Sequence, residues 1–223
     1  MNSISESLGT ATAHQDWDRR WRDDAGRADW LTPEADVAAA IALLQERGAQ
    51  NVLDLGCGVG RHTLALARAG FTVTALDGSE SGIAYLREQA ATAGFDITAQ
   101  SGLMTDLPYD DASFDYVLAW NVIYHGDGVI VDHCIDEIRR VMRPHGLYQG
   151  TMLSKRNGNF GKGRAVADDT FVIDGIDDKS HPHFYCDAAG LVARFHRFEL
   201  LSLVDREHES AGSWHWHMIA EAH

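Results

Sequence analysis

The sequence predicts a single α/β domain built on a mostly parallel sheet, and three observations carry that prediction. Short runs of strand character alternate with helical patterns of about ten residues or more, the signature of parallel βαβ units. A glycine loop, GCGVG, joins the first strand run directly to a helix. Two further strand runs close the chain around ESAG and read as an antiparallel hairpin. With 223 residues and 45% hydrophobic content, the chain has enough apolar material for one full core and little room for a second.

Taken in order, residues 1–15 are polar and Ser/Thr-rich, and are expected to be flexible. A helical pattern begins at DWDRRW. Thr32, Pro33 and Glu34 read as an N-cap, an N1 proline and a first-turn acid ahead of a helix whose apolar face is Val37, Ile41 and Leu44, ending at Gly48. NVLDL is a strand, RHTLALARAG a helix, FTVTALD a strand, SGIAYLREQAATAG a helix and ITAQS a strand. SFDYVLAW follows as a strand, and VIVDHCIDEIRRVM as a helix stopped by Pro144 and Gly146 ahead of the strand LYQGTML. The pattern then breaks: residues 154–185 are Gly-rich and polar, and that length of irregular chain is expected to form a cap or insert over a substrate site. Asp187 is a plausible N-cap for one more helix before the terminal hairpin of FELLSLVDREH and SWHWHMIAEAH.

Charge and composition narrow the partners. A formal net charge of −14 without a long basic patch argues against nucleic acid or an anionic membrane and favours a small molecule. The absence of an apolar leader or membrane-length segment, with three scattered cysteines (Cys57, Cys134, Cys186), predicts a cytoplasmic protein with free thiols, monomeric or homodimeric.

In VLDLGCGVGRHT, Gly56, Gly58 and Gly60 lie between strand and helix, where the backbone must turn sharply and helix N–H groups can face a ligand. Asp77 ends the next strand, where a carboxylate can accept both hydroxyls of a ribose. A nicotinamide dehydrogenase would use similar geometry, but Arg61 stands where its fingerprint needs a third Gly or Ala. At these residues the chain resembles the class I S-adenosylmethionine-dependent methyltransferases, whose first motif is matched by DLGCGVG, with further likeness in LDGSES, LMTDLPYDDASFDYVLAWNVIYH and EIRRVMRPHGLYQGTM. Within that family it looks most like small bacterial methyltransferases of a tellurite-resistance-like kind.

The resemblance implies a Rossmann-like, seven-stranded, doubly wound sheet whose last strand is antiparallel and inserted between the fifth and sixth. It implies S-adenosyl-L-methionine laid across the carboxyl edge of the strands. Carried over by residue, Asp54, Gly56, Cys57, Gly58 and Gly60 border the methionine part, Asp77 takes the ribose, Gly78 and Ser79 border ribose and adenine, and Leu103 and Met104 lie by the adenine, with Asn121 completing the set. Leu103 departs from the pattern, since many relatives have an acid there, and its place leaves adenine to backbone groups or Asp106.

Methyl transfer from a sulfonium needs an acceptor about 3 Å from the methyl carbon, held in line and shielded from water. A hydroxyl or ammonium acceptor also needs a base, and His125 after the fourth strand is the first candidate, with Tyr124 beside it; a loop histidine bonded to backbone is the plain alternative. Trp17 and Trp21 share a helix face and suit either a lid over the cofactor or a core. Arg156, in the basic group Lys155, Arg156, Lys162 and Arg164, suits a carboxylate-bearing acceptor or a solvated loop. In the last strand, Trp214 and His215 begin at the active-site edge while His217 lies deeper and packs; His181 and His183 approach the same edge. His215 is expected to act with His125, and His181, His183, Trp214 and Arg156 to bind substrate. The two His-x-His pairs are compatible with a divalent ion, but without a clear carboxylate partner no metal is expected. The function expected is methyl transfer to a small molecule; the alternatives are a metalloid or thiol methyltransferase, and a regulatory module that binds the cofactor without turnover.

Overall fold

The computed structural model describes residues 11–175 and 177–223. The chain enters through helix α1 (Ala13–Arg20), a short helix α2 (Asp24–Arg27) and helix α3 (Ala35–Glu46). Strand β1 (Asn51–Leu55), helix α4 (Arg61–Arg68), β2 (Thr72–Asp77), α5 (Glu80–Ala93) and β3 (Thr98–Ser101) form the first half of the sheet. The second half is β4 (Phe114–Ala119), α6 (Gly128–Val141), β5 (Met142–Ser154), three short strands β6 (Arg164–Ala167), β7 (Thr170–Val172) and β8 (His183–Cys186), helix α7 (Ala188–Arg194), β9 (Phe198–Glu207) and β10 (Trp214–Ala222).

The main sheet runs β3-β2-β1-β4-β5-β10-β9. Its first five strands pair in parallel, while β10 is antiparallel to both β5 and β9, as expected of the terminal hairpin. Parallel strands covered by helices on both faces must be apolar on both faces. Accordingly Val52, Leu53, Leu55, Val117, Leu118 and Ala119 are all buried. Helix α6 shows the complementary one-sided pattern, burying Ile130, Val131, Cys134, Ile135, Ile138 and Val141, and Asp127 caps it by accepting from the Val129 and Ile130 N–H groups. The three cysteines are free and buried.

Three details differ from the sequence reading. Helix α3 is capped by Glu34 rather than Thr32, because Glu34 is held from outside the helix: its carboxylate pairs with Arg61 at 3.0 Å and its N–H donates to His62 Nε2. Residues 154–185 are not an irregular loop, for they hold β6, β7 and β8. Strand β8 pairs with Leu153 and Ser154 of β5, beyond Gly150 where the pairing with β4 stops, and so takes over the lane that β4 leaves. The sheet therefore has ten strands, seven of them in the predicted order. Of the segment expected to be flexible, residues 1–10 lie outside the described residues, and residues 13–15 begin helix α1. No helix among the described residues is long and apolar enough to cross a membrane.

Candidate active site

A cleft opens at the carboxyl edge of β1, β2 and β4. The sequence dictates its floor. Gly56 and Gly58 follow β1 with φ of 67° and 54°, a left-handed conformation that costs glycine nothing. The Gly56 and Cys57 N–H groups donate to the Leu76 carbonyl, at 2.7 and 3.1 Å, tying the loop to β2. Asp77 closes the same turn: one carboxylate oxygen accepts from Gly58 N–H at 2.8 Å and the other from Ser79 N–H at 2.7 Å. Burial raises the Asp77 pKa above the usual carboxylate value, while those two N–H groups pull it back down. Each oxygen keeps a lone pair for a ligand hydroxyl.

Tryptophans wall the other side. Trp17 and Trp21 stack at 4.9 Å, and Trp30 meets both edge-on at 5.0 and 5.6 Å. All three line the cleft together with Trp120, and Trp21 is at the same time a core residue. The indole N–H groups of Trp21, Trp30 and Trp120 are buried without a hydrogen-bond partner, and Arg61 is the one arginine or lysine in the lining. Helix α1 is pinned over the site by Asp18, which accepts from the Ser81 N–H and Ser79 Oγ; the Ser81 N–H above all, then Arg22 and the serine hydroxyls, hold its pKa down at about 2 against the effect of burial.

The predicted site residues divide clearly. Gly56, Cys57, Gly58, Asp77, Gly78, Leu103, Met104, Asn121, His125, Trp17 and Trp21 line the cleft. Asp54, Gly60 and Ser79 do not. Gly60 turns the chain into α4 at φ 88°, Ser79 caps α5 by accepting from Gly82 N–H, and Asp54 is buried behind the loop, accepting from Thr63 Oγ1 at 2.6 Å. Asp106, the alternative partner for adenine, is exposed and away from the lining. Residues missed in the sequence include Thr105, His14, Arg61, His62, Trp30 and Trp120; only Arg61, next to the glycine loop, carried a signal there.

Burial raises the Asp54 pKa to about 7. A carboxyl that keeps its proton longer when folded contributes stability at low pH and loses it as pH rises through about 4 toward 7. Asp54→Asn keeps an acceptor for Thr63 and is expected to raise Tm at pH 8 by about 4 °C or more, with no gain below roughly pH 4. Thermal melts across that range check it; equal Tm at pH 8 would rule out a raised Asp54 pKa.

The chemistry end is histidine-rich. Asn121 follows β4 at φ 60°, a conformation asparagine tolerates better than most residues, and Thr151 fixes it twice, accepting from its N–H and donating to its Oδ1. His125 reaches the cleft, but both its ring nitrogens are engaged: Nε2 lies 3.0 Å from the Asn121 carbonyl and Nδ1 3.0 Å from His181 Nε2. Neither nitrogen is turned toward an acceptor in the cleft: Nε2 donates to the Asn121 carbonyl, and Nδ1, which keeps its lone pair, faces His181. His181 and His183 lie behind His125 rather than in the lining. Tyr124 is buried between His125 and His215, with ring centroids 4.7 and 5.9 Å away, and neither Tyr124 nor His215 reaches the cleft. His215 faces His208 and bonds the Ser213 carbonyl; burial holds its pKa near 3. His217 packs on Trp120 and meets Asp36 and Arg206, the packing role expected of it. Arg156 stacks on Trp214 at 3.4 Å and pairs with Asp205, outside the cleft, so neither is placed to bind an acceptor there. Burial pushes the Cys57 thiol well up, which denies it thiolate chemistry.

A glycine loop under a carboxylate that ends the second strand, at the carboxyl edge of a doubly wound sheet, defines a nucleoside-binding α/β domain. Residues 52–146 match the methyltransferase domain family. An uncharacterized methyltransferase from Synechocystis sp. is 32% identical over 99 residues, covering 44% of this chain and 45% of that protein. The 27-O-demethylrifamycin SV methyltransferase of Amycolatopsis mediterranei is 30% identical over 142 residues, covering 58% and 51%. The chain thus spans about half the length of these relatives. The solved structure of Burkholderia thailandensis 1,6-didemethyltoxoflavin-N1-methyltransferase, with its acceptor and S-adenosylhomocysteine bound, superposes with a TM-score of 0.69 at 21% identity, covering 95% of this chain and 88% of that one. Residues 52–146 thus carry a methyltransferase domain, and the relatives and structural neighbours support reading the chain as a class I S-adenosylmethionine-dependent methyltransferase.

Proposed function

We propose that the protein transfers the methyl group of S-adenosylmethionine to a small-molecule acceptor that enters beside Asn121 and His125. The observation that carries the reading is the polarity of the cleft. At one end Asp77 offers carboxylate lone pairs suited to a ribose diol. Elsewhere in the lining the unpartnered indole N–H groups offer donors suited to the methionine carboxylate, beside Arg61, whose charge is already paired with Glu34. The cleft is roofed by α1, which shields a sulfonium from water, and the acidic chain disfavours a polyanionic acceptor. Displacement itself needs positioning more than covalent help, but a hydroxyl or ammonium acceptor must then lose its proton to water or to a group other than His125.

Calorimetry with S-adenosylhomocysteine, followed by measurement of S-adenosylhomocysteine release with hydroxyl, amine, thiol and metalloid acceptors, tests this. Binding together with turnover on a hydroxyl or amine small molecule is the expected result. Turnover confined to thiols or metalloids supports the alternative chemistry, and tight binding without turnover on any class supports a regulatory module.

A further inference from the structure

Three buried histidines meet on the flank of the cleft. His125 comes from the loop after β4, and His181 and His183 from the entry to β8. Two backbone bonds lock these segments together: Gly126 N–H to the Pro182 carbonyl at 3.0 Å and Phe184 N–H to the Tyr124 carbonyl at 2.9 Å. Relative exposures are 7% for His125 and 1% for His181 and His183. Each ring offers a nitrogen within 4.8 Å of those of the other two.

The outward nitrogens fix the tautomers. His125 Nε2 faces the Asn121 carbonyl at 3.0 Å, His181 Nδ1 faces the Asp16 carboxylate at 3.0 Å, and His183 Nδ1 faces the His181 carbonyl at 2.8 Å. Those oxygens only accept, so each of these nitrogens carries the ring's N–H. A neutral imidazole has one N–H, and the inward nitrogens therefore bear lone pairs. Two of them, His125 Nδ1 and His181 Nε2, are 3.0 Å apart, and His183 Nε2 is buried with no hydrogen-bond partner. Any other tautomer moves the conflict outward, setting a lone pair against a carbonyl or a carboxylate. Converging lone pairs call for a cation. A proton on His181 would satisfy the His125–His181 pair, with Nδ1–H on Asp16 and Nε2–H on His125, but would leave His183 Nε2 without a partner, whereas one metal ion takes all three lone pairs.

We propose that His125, His181 and His183 ligate one divalent transition-metal ion of the zinc class, with Asp16 and the Asn121 and His181 carbonyls as the outer partners that orient the rings. Imidazole donors select zinc, cobalt or nickel over calcium or magnesium. Carboxylate or carbonyl support on the far nitrogen is the usual companion of a metal-bound histidine. Tetrahedral ligation at about 2.0–2.1 Å sets ligand nitrogens roughly 3.3 Å apart, between the 3.0 Å of the closest pair and the 4.8 Å that bounds the group. Three protein ligands leave a fourth position open. Because His125 lines the cleft, the ion would lie one ring away from a molecule bound there. Any bearing of the ion on methyl transfer rests on the function proposed above, while the ion site itself rests on the histidines alone. A second group, Glu34, His208 and Glu209, is a weaker candidate, since His208 Nε2 already accepts from the Asn121 amide at 3.1 Å and Glu209 is exposed.

The test uses the full chain without an affinity tag, stripped with a chelator and titrated with zinc by calorimetry and with cobalt by visible absorption. One ion per chain, a micromolar or tighter Kd and the intense visible bands of four-coordinate cobalt are expected. His183→Gln should weaken binding at least a hundredfold. Asp16→Asn, on a half-buried helix residue where misfolding is not a concern, should weaken it by about 10–100-fold. Failure to bind zinc below millimolar concentration overturns the proposal, as does binding that survives His183→Gln but is lost in His208→Gln. S-adenosylhomocysteine affinity is measured alongside on stripped protein: retained cofactor binding without zinc binding sinks the metal site alone, and the reverse sinks the cofactor reading alone.

Discussion

Asp77→Ala is expected to weaken S-adenosylhomocysteine binding by at least tenfold, about 1.4 kcal/mol or more. Two effects add. The ribose loses two charge-assisted acceptors, each worth roughly 1.5–3 kcal/mol. The Gly58 and Ser79 N–H groups also lose the oxygens that hold the glycine loop in register with β2. Asp77→Asn separates these contributions, since its amide keeps one acceptor; an intermediate Kd is expected. Calorimetry that gives the wild-type Kd for both variants would remove Asp77 from the site.

Gly56→Ala is expected to lower Tm by about 4 °C or more and to cost at least tenfold in cofactor affinity. A Cβ at this position would lie 2.3 and 2.5 Å from the two methyl carbons of Val122, and the backbone at φ 67° adds roughly 1–2 kcal/mol for any residue with a Cβ. Relief of the overlap must push Val122 away, and Val122 is chained to Asn121 and hence to His125. The double variant Gly56→Ala with Val122→Ala should recover part of the Tm, because it removes the overlap but not the strained φ. A single variant that melts and binds like wild type would show that the loop has room to spare.

The sheet order and the glycine-loop end of the cleft were legible because their signals are local. Alternation of strand and helix gave the parallel half, and GCGVG with Asp77 sits within one βαβ unit. The acceptor end was not legible in the same way. His125, His181 and His183 are brought together by the register between a loop and a strand that takes over the lane of β4, and no periodicity in either segment encodes that register. The same holds for Trp30 and Trp120, which join Trp17 and Trp21 only after α1 folds back over the sheet. His215 was misjudged for a different reason. Its strand does begin at the active-site edge, opposite Leu153, but the buried Tyr124 ring stands between it and His125. Thr32 failed as a cap because Arg61 and His62, distant in sequence, hold Glu34 in place.

Helix α1 carries Asp16 and Asp18 half a turn apart, one bonded to His181 and the other to Ser79 and Ser81. Ala13, His14 and Trp17 of the same helix line the cleft. An eight-residue helix with no fully buried residue has little hold of its own, so lifting it breaks both attachments in one local opening. On the function proposed above, exchange of spent for fresh cofactor becomes a gating event rather than simple diffusion out of a groove. Whatever strengthens the His181 contact lengthens the residence time of the nucleoside beneath the helix, and an occupied cleft in turn slows release at the histidines.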